Sequence, residues 1–195
     1  MKKRILCVGI KNVKMGRIPS SSTVPIKDCL PGCPCYKECY ALKAYRMYPN
    51  VRKGWGDNSW LARNDLPSYT QQHLIYIYQV QPKHFRFMVG GDVVSKKHFL
   101  AICSIAEMSP KTKFLLFTKR YDFVDPREIP SNLRVMLSMW PGLKYPPRKL
   151  SGLSRAYVEG CREDKRMKAS YKCHKKCDEC FRCWGLKGDV QFPKH

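Results

Sequence analysis

Eight of the eleven cysteines fall into two short groups, and this spacing constrains the fold more than any other feature of the sequence. Thiols that cluster this closely are ligands of zinc or of iron–sulfur clusters far more often than packing residues. We therefore expect inorganic centres near both ends of the sequence. The first group is Cys29, Cys33, Cys35 and Cys39, and the second is Cys173, Cys177, Cys180 and Cys183.

The spacing of the second group predicts a metal site but does not identify the metal. Intervals of two or three residues let consecutive sulfur atoms turn towards one ion or one cluster. Zinc accepts four thiolates in a tetrahedron, whereas a [4Fe–4S] cluster takes one thiolate for each iron. Both assignments stay open. A purely structural metal is the main alternative, because so short a segment has little core of its own.

The first group directly precedes a predicted helix over residues 36–48, a stretch without glycine or proline. In that context Cys35 and Cys39 lie one helical turn apart near the amino end of the helix, where thiolates are favoured. Three of the four thiols suffice to hold a [4Fe–4S] cluster and to leave one iron open to a substrate or cofactor. The spacing alone does not decide which three.

The charge of the chain predicts a polyanionic partner. Lys and Arg number 37 against 15 Asp and Glu, so the net charge is +22. A soluble domain of this size usually has a net charge of only about 2–8. The simplest polyanionic partner is nucleic acid, either DNA or RNA. No apolar run approaches the roughly 18 residues of a membrane span. We expect a cytoplasmic protein, in the host cell if phage-encoded, where grouped cysteines are metal ligands rather than disulfides.

The middle of the chain predicts an α/β fold with a parallel sheet, because short apolar strands alternate with a helix that Ser95 can cap. Strand, helix and strand joined by short connections form a βαβ unit, whose binding sites lie at the carboxyl ends of the strands. The predicted strands cover residues 5–10, 85–89, 113–118 and 133–139, and a short helix that Asn58 caps runs to about residue 64.

A change of composition near residue 140 suggests two regions. Residues 1–140 are interpreted as the α/β core with the first cysteine loop. Residues 141–195 are interpreted as a basic segment, broken by proline and glycine, that leads into a Cys-rich metal module.

A Gly-Gly-Asp sequence follows the predicted strand over residues 85–89: Gly90, Gly91 and Asp92. Together with a cysteine loop after an earlier strand, it resembles the radical S-adenosylmethionine (SAM) superfamily. The resemblance implies a small partial (βα) barrel with a [4Fe–4S] cluster in the cysteine loop. It also implies SAM as a cofactor, with its amino group at Gly90, Gly91 and Asp92. The cysteine spacing differs from the Cys-x3-Cys-x2-Cys of that superfamily.

A further pattern extends over nearly the whole chain. It includes Lys11-Asn12-x-Lys14-Met15-Gly16, Cys39-Tyr40-Ala41, Tyr48-Pro49-x-Val51-Arg52, Gly91-Asp92, Phe117-Thr118-Lys119, and a last block from Cys177 to Trp184 that continues to His195. This pattern resembles the phage gene product eighty-eight family. On that resemblance Cys29, Cys35 and Cys39 match the family's cysteines and Cys33 is additional. It implies a phage origin and a metal-bearing fold, but no particular reaction.

Three hypotheses remain open at this point. The first is a phage iron–sulfur protein with a radical-SAM-like core that acts on nucleic acid or a nucleotide, with zinc as an alternative at the second group. The second is a non-catalytic, metal-stabilised nucleic-acid-binding protein that interferes with a host system. The third is a single metal centre that both cysteine groups share. Aromatic and basic residues interleave between residues 36 and 63, a mixture that suits single-stranded nucleic acid.

Overall fold

The structure is a computed structural model, and it describes residues 4–13, 15–161, 164–174, 176–185 and 188–193. The strands are β1 (Ser20–Ser21), β2 (His84–Phe87), β3 (Lys113–Thr118), β4 (Leu133–Ser138), β5 (Ser154–Val158), β6 (Tyr171–Lys172) and β7 (Val190–Phe192). The helices are α1 (Tyr40–Met47), α2 (Pro49–Asn64), α3 (Leu66–Val80), α4 (Lys96–Glu107), α5 (Lys165–Lys168), α6 (Cys177–Cys180) and α7 (Arg182–Gly185). Single 3-10 turns cover Pro34–Glu38, Pro126–Glu128 and Arg148–Leu150.

The described strands form one sheet in the order β1-β2-β3-β4-β5-β7-β6, and every neighbouring pair is parallel. The predicted α/β fold with a parallel sheet is therefore confirmed. Within the described residues no pairing joins β1 to β6, so the sheet is open rather than a closed barrel. The sheet runs through the boundary predicted at residue 140, because β5, β7 and β6 continue it beyond β4.

The two faces of the sheet have different neighbours. Side chains of β2, β3 and β4 that point to one face, such as Phe85, Phe114 and Leu116, pack in a large apolar core with α2, α3 and α4. Ser95 caps α4 as predicted, since its hydroxyl accepts a hydrogen bond from the His98 amide at 3.1 Å. The opposite face, which we call the inner face, carries Leu115, Phe117, Met136, Ala156, Val190 and Phe192.

Three local predictions were wrong. Residues 5–10 form no strand, and Gly9 makes only one isolated antiparallel bridge, to Ser20 of β1. The helix predicted over residues 36–48 begins only at Tyr40, because a 3-10 turn and the extended backbone of Cys39 precede it. Cys35 and Cys39 therefore do not share a helical turn.

Asn58 is the third correction, because it lies inside α2 rather than at its start. Its buried amide accepts a hydrogen bond from the backbone N–H of Cys7 at 2.7 Å and donates to the carbonyls of Cys7 and Ser22. These bonds satisfy backbone groups that a strand at residues 5–10 would have paired with a neighbour. One polar side chain thus replaces the predicted strand pairing.

Two histidines are buried in the core between α3, α4 and the sheet. His73 donates from Nδ1 to the Tyr69 carbonyl at 2.8 Å and accepts at Nε2 from the Ser21 hydroxyl at 3.0 Å. His98 accepts the Val94 amide at Nδ1. Burial lowers the pKa of His73 to about 4 and that of His98 to about 3.

These depressed pKa values predict a loss of stability in mild acid. An unfolded histidine titrates near pH 6.5, so between about pH 6.5 and pH 4 the unfolded state binds protons that the folded state does not. The free energy of unfolding should fall by about 1.4 kcal/mol per pH unit for each histidine. Urea unfolding from pH 7 to pH 4 measures the slope. His98→Asn, which keeps an acceptor for Val94, should remove about half of it, and an unchanged slope would contradict this account.

Candidate metal centre

Both cysteine groups line one cavity of about 160 Å³, which lies against the inner face near the carboxyl ends of the strands. The sequence separates the groups by more than a hundred residues, but the parallel sheet brings the segments that follow β1 and β6 to the same edge. The cavity therefore collects most of the predicted ligands. The cysteines that line it are Cys29, Cys35, Cys39, Cys173, Cys177, Cys180 and Cys183.

The loop after β1 positions the first group. The buried Asp28 carboxylate accepts the Val24 amide at 2.7 Å and pairs with Arg63 on α2 at 2.5 Å. The Tyr36 hydroxyl donates to the carbonyls of Ile26 and Leu30, which closes the loop around Cys29. The chain turns at Gly32, where φ is +67°. These contacts hold the loop in place without any metal.

Cys33 differs from the other three cysteines of its group. Its side chain is buried, with 3% exposed, and it does not line the cavity. Its sulfur lies 2.8 Å from that of Cys35, and this contact lowers the pKa of Cys33 and raises that of Cys35. Burial raises the pKa of Cys29 to about 12. The three thiols that face the cavity are therefore those of Cys29, Cys35 and Cys39.

The second group is carried by short elements that are anchored on the inner face. Cys173 follows β6, Cys177 and Cys180 begin and end α6, and Cys183 lies in α7. The anchor is Trp184, whose indole N–H donates to the Phe85 carbonyl at 3.1 Å. Phe181 adopts a left-handed backbone with φ +47° between α6 and α7 and stacks on His84. The aromatic residues beside the cysteines thus attach them to the sheet.

Two half-buried arginines lie beneath this group. Arg86 and Arg134 are both neighbours of Leu115 across the sheet, and α7 packs on β3 and β4. Within the described residues neither guanidinium pairs with a carboxylate, and the Nε atoms of both are buried without a hydrogen-bond partner. Arg86 donates only to the Met15 sulfur, at 3.3 Å, and lies over the Phe117 ring.

This charge arrangement tests whether a metal–thiolate group fits the site. A half-buried cation without an ion-pair partner is unfavourable, and thiolates bound to a metal carry negative charge. The donor atoms and the unpaired arginines therefore fit such a group. Within the described residues, no three Cys, His, Asp or Glu side chains already stand close enough to hold one ion. Binding would draw the thiols together, as is usual where metal binding and folding are coupled.

The Gly-Gly-Asp motif lies at the cavity wall where β2 ends. A Cβ atom on Gly91, at φ +69°, would stand 2.7 Å from the Thr23 backbone, and one on Gly90 would meet the Trp55 ring at 2.5 Å. Both glycines therefore allow the end of β2 to contact the loop after β1 and α2. Met88 precedes them with a strained φ of +56°.

The buried Asp92 carboxylate joins the end of β2 to the end of β3. Its Oδ1 accepts from the Thr118 hydroxyl at 2.6 Å and from the Val93 amide at 2.7 Å, and its Oδ2 accepts the Lys119 amide at 2.8 Å. Burial raises the pKa of Asp92. A carboxylate offers about four acceptor sites, so these three bonds leave one for a ligand.

The family described as Gene product 88 matches residues 11–185 of the chain. The chain belongs to this phage family. The match includes both cysteine groups and the Gly-Gly-Asp motif. Lys14 and His195, which also belong to the pattern quoted from the sequence, lie outside the described residues. Comparison with curated proteins and with solved structures yields no match. No helix in the described part of this family member is long and apolar enough to cross a membrane.

Sequence reasoning missed a second set of cavity residues in this gene product 88 protein. Lys119 directly follows β3 and Trp140 follows β4 by one residue, and both line the cavity. Burial lowers the pKa of Lys119, but the nearby Cys35 thiol and Asp92 carboxylate have a larger opposite effect. The pKa of Lys119 is therefore raised. Their position at the carboxyl ends of predicted strands could have identified both residues. Arg86 and Arg134 lie inside strands, where no sequence signal marks them.

Asp92→Asn should destabilise the protein. The amide group replaces one acceptor oxygen by a donor, so it must face one of the three donors that now bind Asp92, and the cost is about 2 kcal/mol. Urea unfolding at pH 7 measures the change. Asp122→Asn is the matched control, because that carboxylate is half exposed and pairs only with Arg120. Equal effects of the two substitutions would show that Asp92 does not join the strands.

Proposed function

We propose that the protein is an iron–sulfur enzyme with a radical-SAM-like core, and that its substrate is nucleic acid or a nucleotide. The observation that carries the proposal is the cavity in which Cys29, Cys35 and Cys39 face the Gly-Gly-Asp motif at the carboxyl edge of a parallel sheet. An open parallel sheet covered by helices on one face agrees with a partial (βα) barrel.

The three thiols that line the cavity would hold the cluster. Cys29, Cys35 and Cys39 can each offer one sulfur to a [4Fe–4S] cluster, and the burial of Cys33 away from the cavity leaves one iron open. When bound, such a cluster supplies one-electron chemistry to a cofactor at the open iron. Cys33 is then a neighbour that packs against Cys35 rather than a ligand.

SAM would lie against the wall opposite the first group. Gly90 and Gly91 present backbone there without side chains, and the remaining acceptor site of Asp92 suits an ammonium group. Lys119 adds a cation near Asp92 and the first group that suits a carboxylate. Aromatic residues of the same cavity, among them Tyr40 and Trp140, offer flat apolar surfaces for a purine ring.

The second group would hold an auxiliary iron–sulfur cluster or zinc. Four thiolates with either metal carry a net negative charge, and the unpaired guanidiniums of Arg86 and Arg134 would offset it. The two arginines thus favour a charged metal–thiolate group over four neutral thiols. They do not distinguish iron from zinc.

Anaerobic purification tests this proposal. The protein should be brown, with iron and acid-labile sulfide near four per cluster, and it should bind SAM. Cys35→Ala should remove the iron of the first cluster and abolish SAM binding. Cys33→Ala is the control two residues away, and it should retain both. A colourless protein with zinc alone, or an iron-loaded protein without affinity for SAM, would sink the enzyme proposal.

A single shared centre is the second candidate, because both groups line the same cavity. If one centre joins the groups, Cys177→Ala should also lower the metal held by the first group. If the sites are separate, Cys177→Ala should leave the iron and sulfide of the first cluster unchanged. Iron, sulfide and zinc contents of the anaerobic Cys177→Ala and Cys35→Ala proteins, compared with the unmodified chain, decide between the two arrangements.

A non-catalytic role is the remaining alternative, and the net charge of +22 favours it. In this case the metals are structural, and the basic surface binds nucleic acid and interferes with a host system. The two roles differ in one measurement, because only the enzyme requires SAM binding at the first group.

A further inference from the structure

A second cavity, of about 400 Å³, lies between α2 and the loop after β1, and we call it the cationic cleft. Asp57 is the one carboxylate among the described residues that line it. The basic residues that line it are Arg4, Lys27, Arg52, Lys53 and Arg63. The cleft is thus strongly positive and separate from the cysteine cavity.

The acids of the cleft lie beneath its cations. Arg4 and Lys53 share Asp57, at 2.5 and 2.8 Å, and the Asp57 side chain is only 5% exposed. Arg63 pairs with Asp28, whose side chain is 0% exposed. A ligand that enters the cleft therefore meets the basic groups and not the carboxylates.

Two cations of the cleft make no ion pair within the described residues: Lys27 and Arg52. Both side chains are exposed, and Arg52 makes only a long hydrogen bond, 3.4 Å, to the Arg46 carbonyl. Five basic residues against the two carboxylates Asp57 and Asp28 leave a surplus of three positive charges. This surplus suits more than one phosphate.

Aromatic rings form part of the same wall. Trp60 lines the cleft with the Arg4 guanidinium 5.9 Å above its ring, and Tyr45 lines it while stacking on Trp55. Gly56 also lines the cleft, and a Cβ atom there would meet nothing within 4 Å. The cleft therefore combines cations, flat apolar surfaces and free space, the features that bind unpaired nucleotides.

One short segment separates the cleft from the cysteine cavity. Val24 and Lys27 line the cleft, whereas Cys29 lines the cavity. Asp28, between them, bonds to Val24 and to Arg63. A strand bound in the cleft would therefore run close to the loop that carries the first cysteine group.

We propose that the cationic cleft binds the phosphodiester backbone of single-stranded nucleic acid. Paired bases cannot stack on Tyr45 or Trp60, so a duplex uses only the charges, whereas a single strand uses both charges and rings. This binding proposal deepens the proposed function. It depends on the proposed function in one respect only, namely the delivery of the bound strand to the cysteine cavity.

The test measures binding of fluorescently labelled 15-nucleotide oligo(dT) and oligo(rU) to anaerobically purified protein over a range of salt concentrations. Lys27→Ala combined with Arg52→Ala should weaken binding about tenfold and reduce the slope of log affinity against log salt by about 1.4, or 0.7 for each lost phosphate contact. Lys97→Ala combined with Lys111→Ala removes the same charge from exposed sites elsewhere. This control should stay within about twofold of the unmodified protein.

A steric variant tests the cleft without changing charge. Gly56→Phe fills the free space and should weaken oligonucleotide binding about tenfold, the value of one lost stacking contact. Gly152→Phe adds the same side chain at another exposed glycine with nothing within 4 Å, and should bind normally. Gly56→Ala adds only a methyl group to α2. If Gly56→Phe fails to fold, Gly56→Ala takes its place in the comparison with the unmodified protein.

The outcomes separate this proposal from the proposed function. The cleft proposal would be overturned if both cleft variants still bound the oligonucleotides normally. It would also be overturned if duplex DNA, or millimolar inorganic phosphate, competed as well as unlabelled single strands. Weaker binding of the cleft variants with unchanged iron and sulfide supports the cleft. Oligonucleotide binding by a protein that holds no iron supports the cleft and sinks the enzyme. A preference for oligo(dT) or oligo(rU) identifies the nucleic acid.

Discussion

The parallel direction of the strands is the constraint on which the rest of the structure depends. It sends the segments after β1, β2, β3, β4 and β6 to one edge of the sheet, and each of them delivers a residue to the cysteine cavity. An antiparallel arrangement would place alternate segments at the opposite edge. The meeting of two distant cysteine groups therefore follows from strand direction.

The two faces of the sheet divide stability from chemistry. The helix-covered face holds the large core, including Phe85, Phe114 and Leu116, and two histidines with low pKa values are buried beside it. The inner face holds unpaired guanidiniums and several thiols over a smaller cluster. Charge without a partner in a half-buried position is unfavourable for folding, so the helix-covered face must supply the stability that offsets it.

The sequence predicted the parts of the fold that depend on local patterns. β2, β3, β4 and α4 were found because their apolar periodicity is long enough and because Ser95 marks a helix start. β1, β6 and β7 have only two or three residues, too few for a period to appear. Asn58 was misplaced because its role is a long-range one, with partners at Cys7 and Ser22. The cysteine groups were singled out by their spacing, but their shared cavity and the position of Cys33 outside its lining depend on tertiary structure.

The distribution of cysteines between the two apolar clusters indicates which part of the fold a bound metal would stabilise. Cys173, Cys177 and Cys183 pack against the inner-face cluster with Trp184, whereas no cysteine of either group belongs to the large core beneath the helices. The loop of the first group is already held by Asp28 and Tyr36. A metal at the second group, as we propose, would therefore act mainly on the short elements that carry its cysteines, which are α6, α7 and the segment after the edge strand β6. The helix-covered core contains none of these thiols, so its packing does not depend on them.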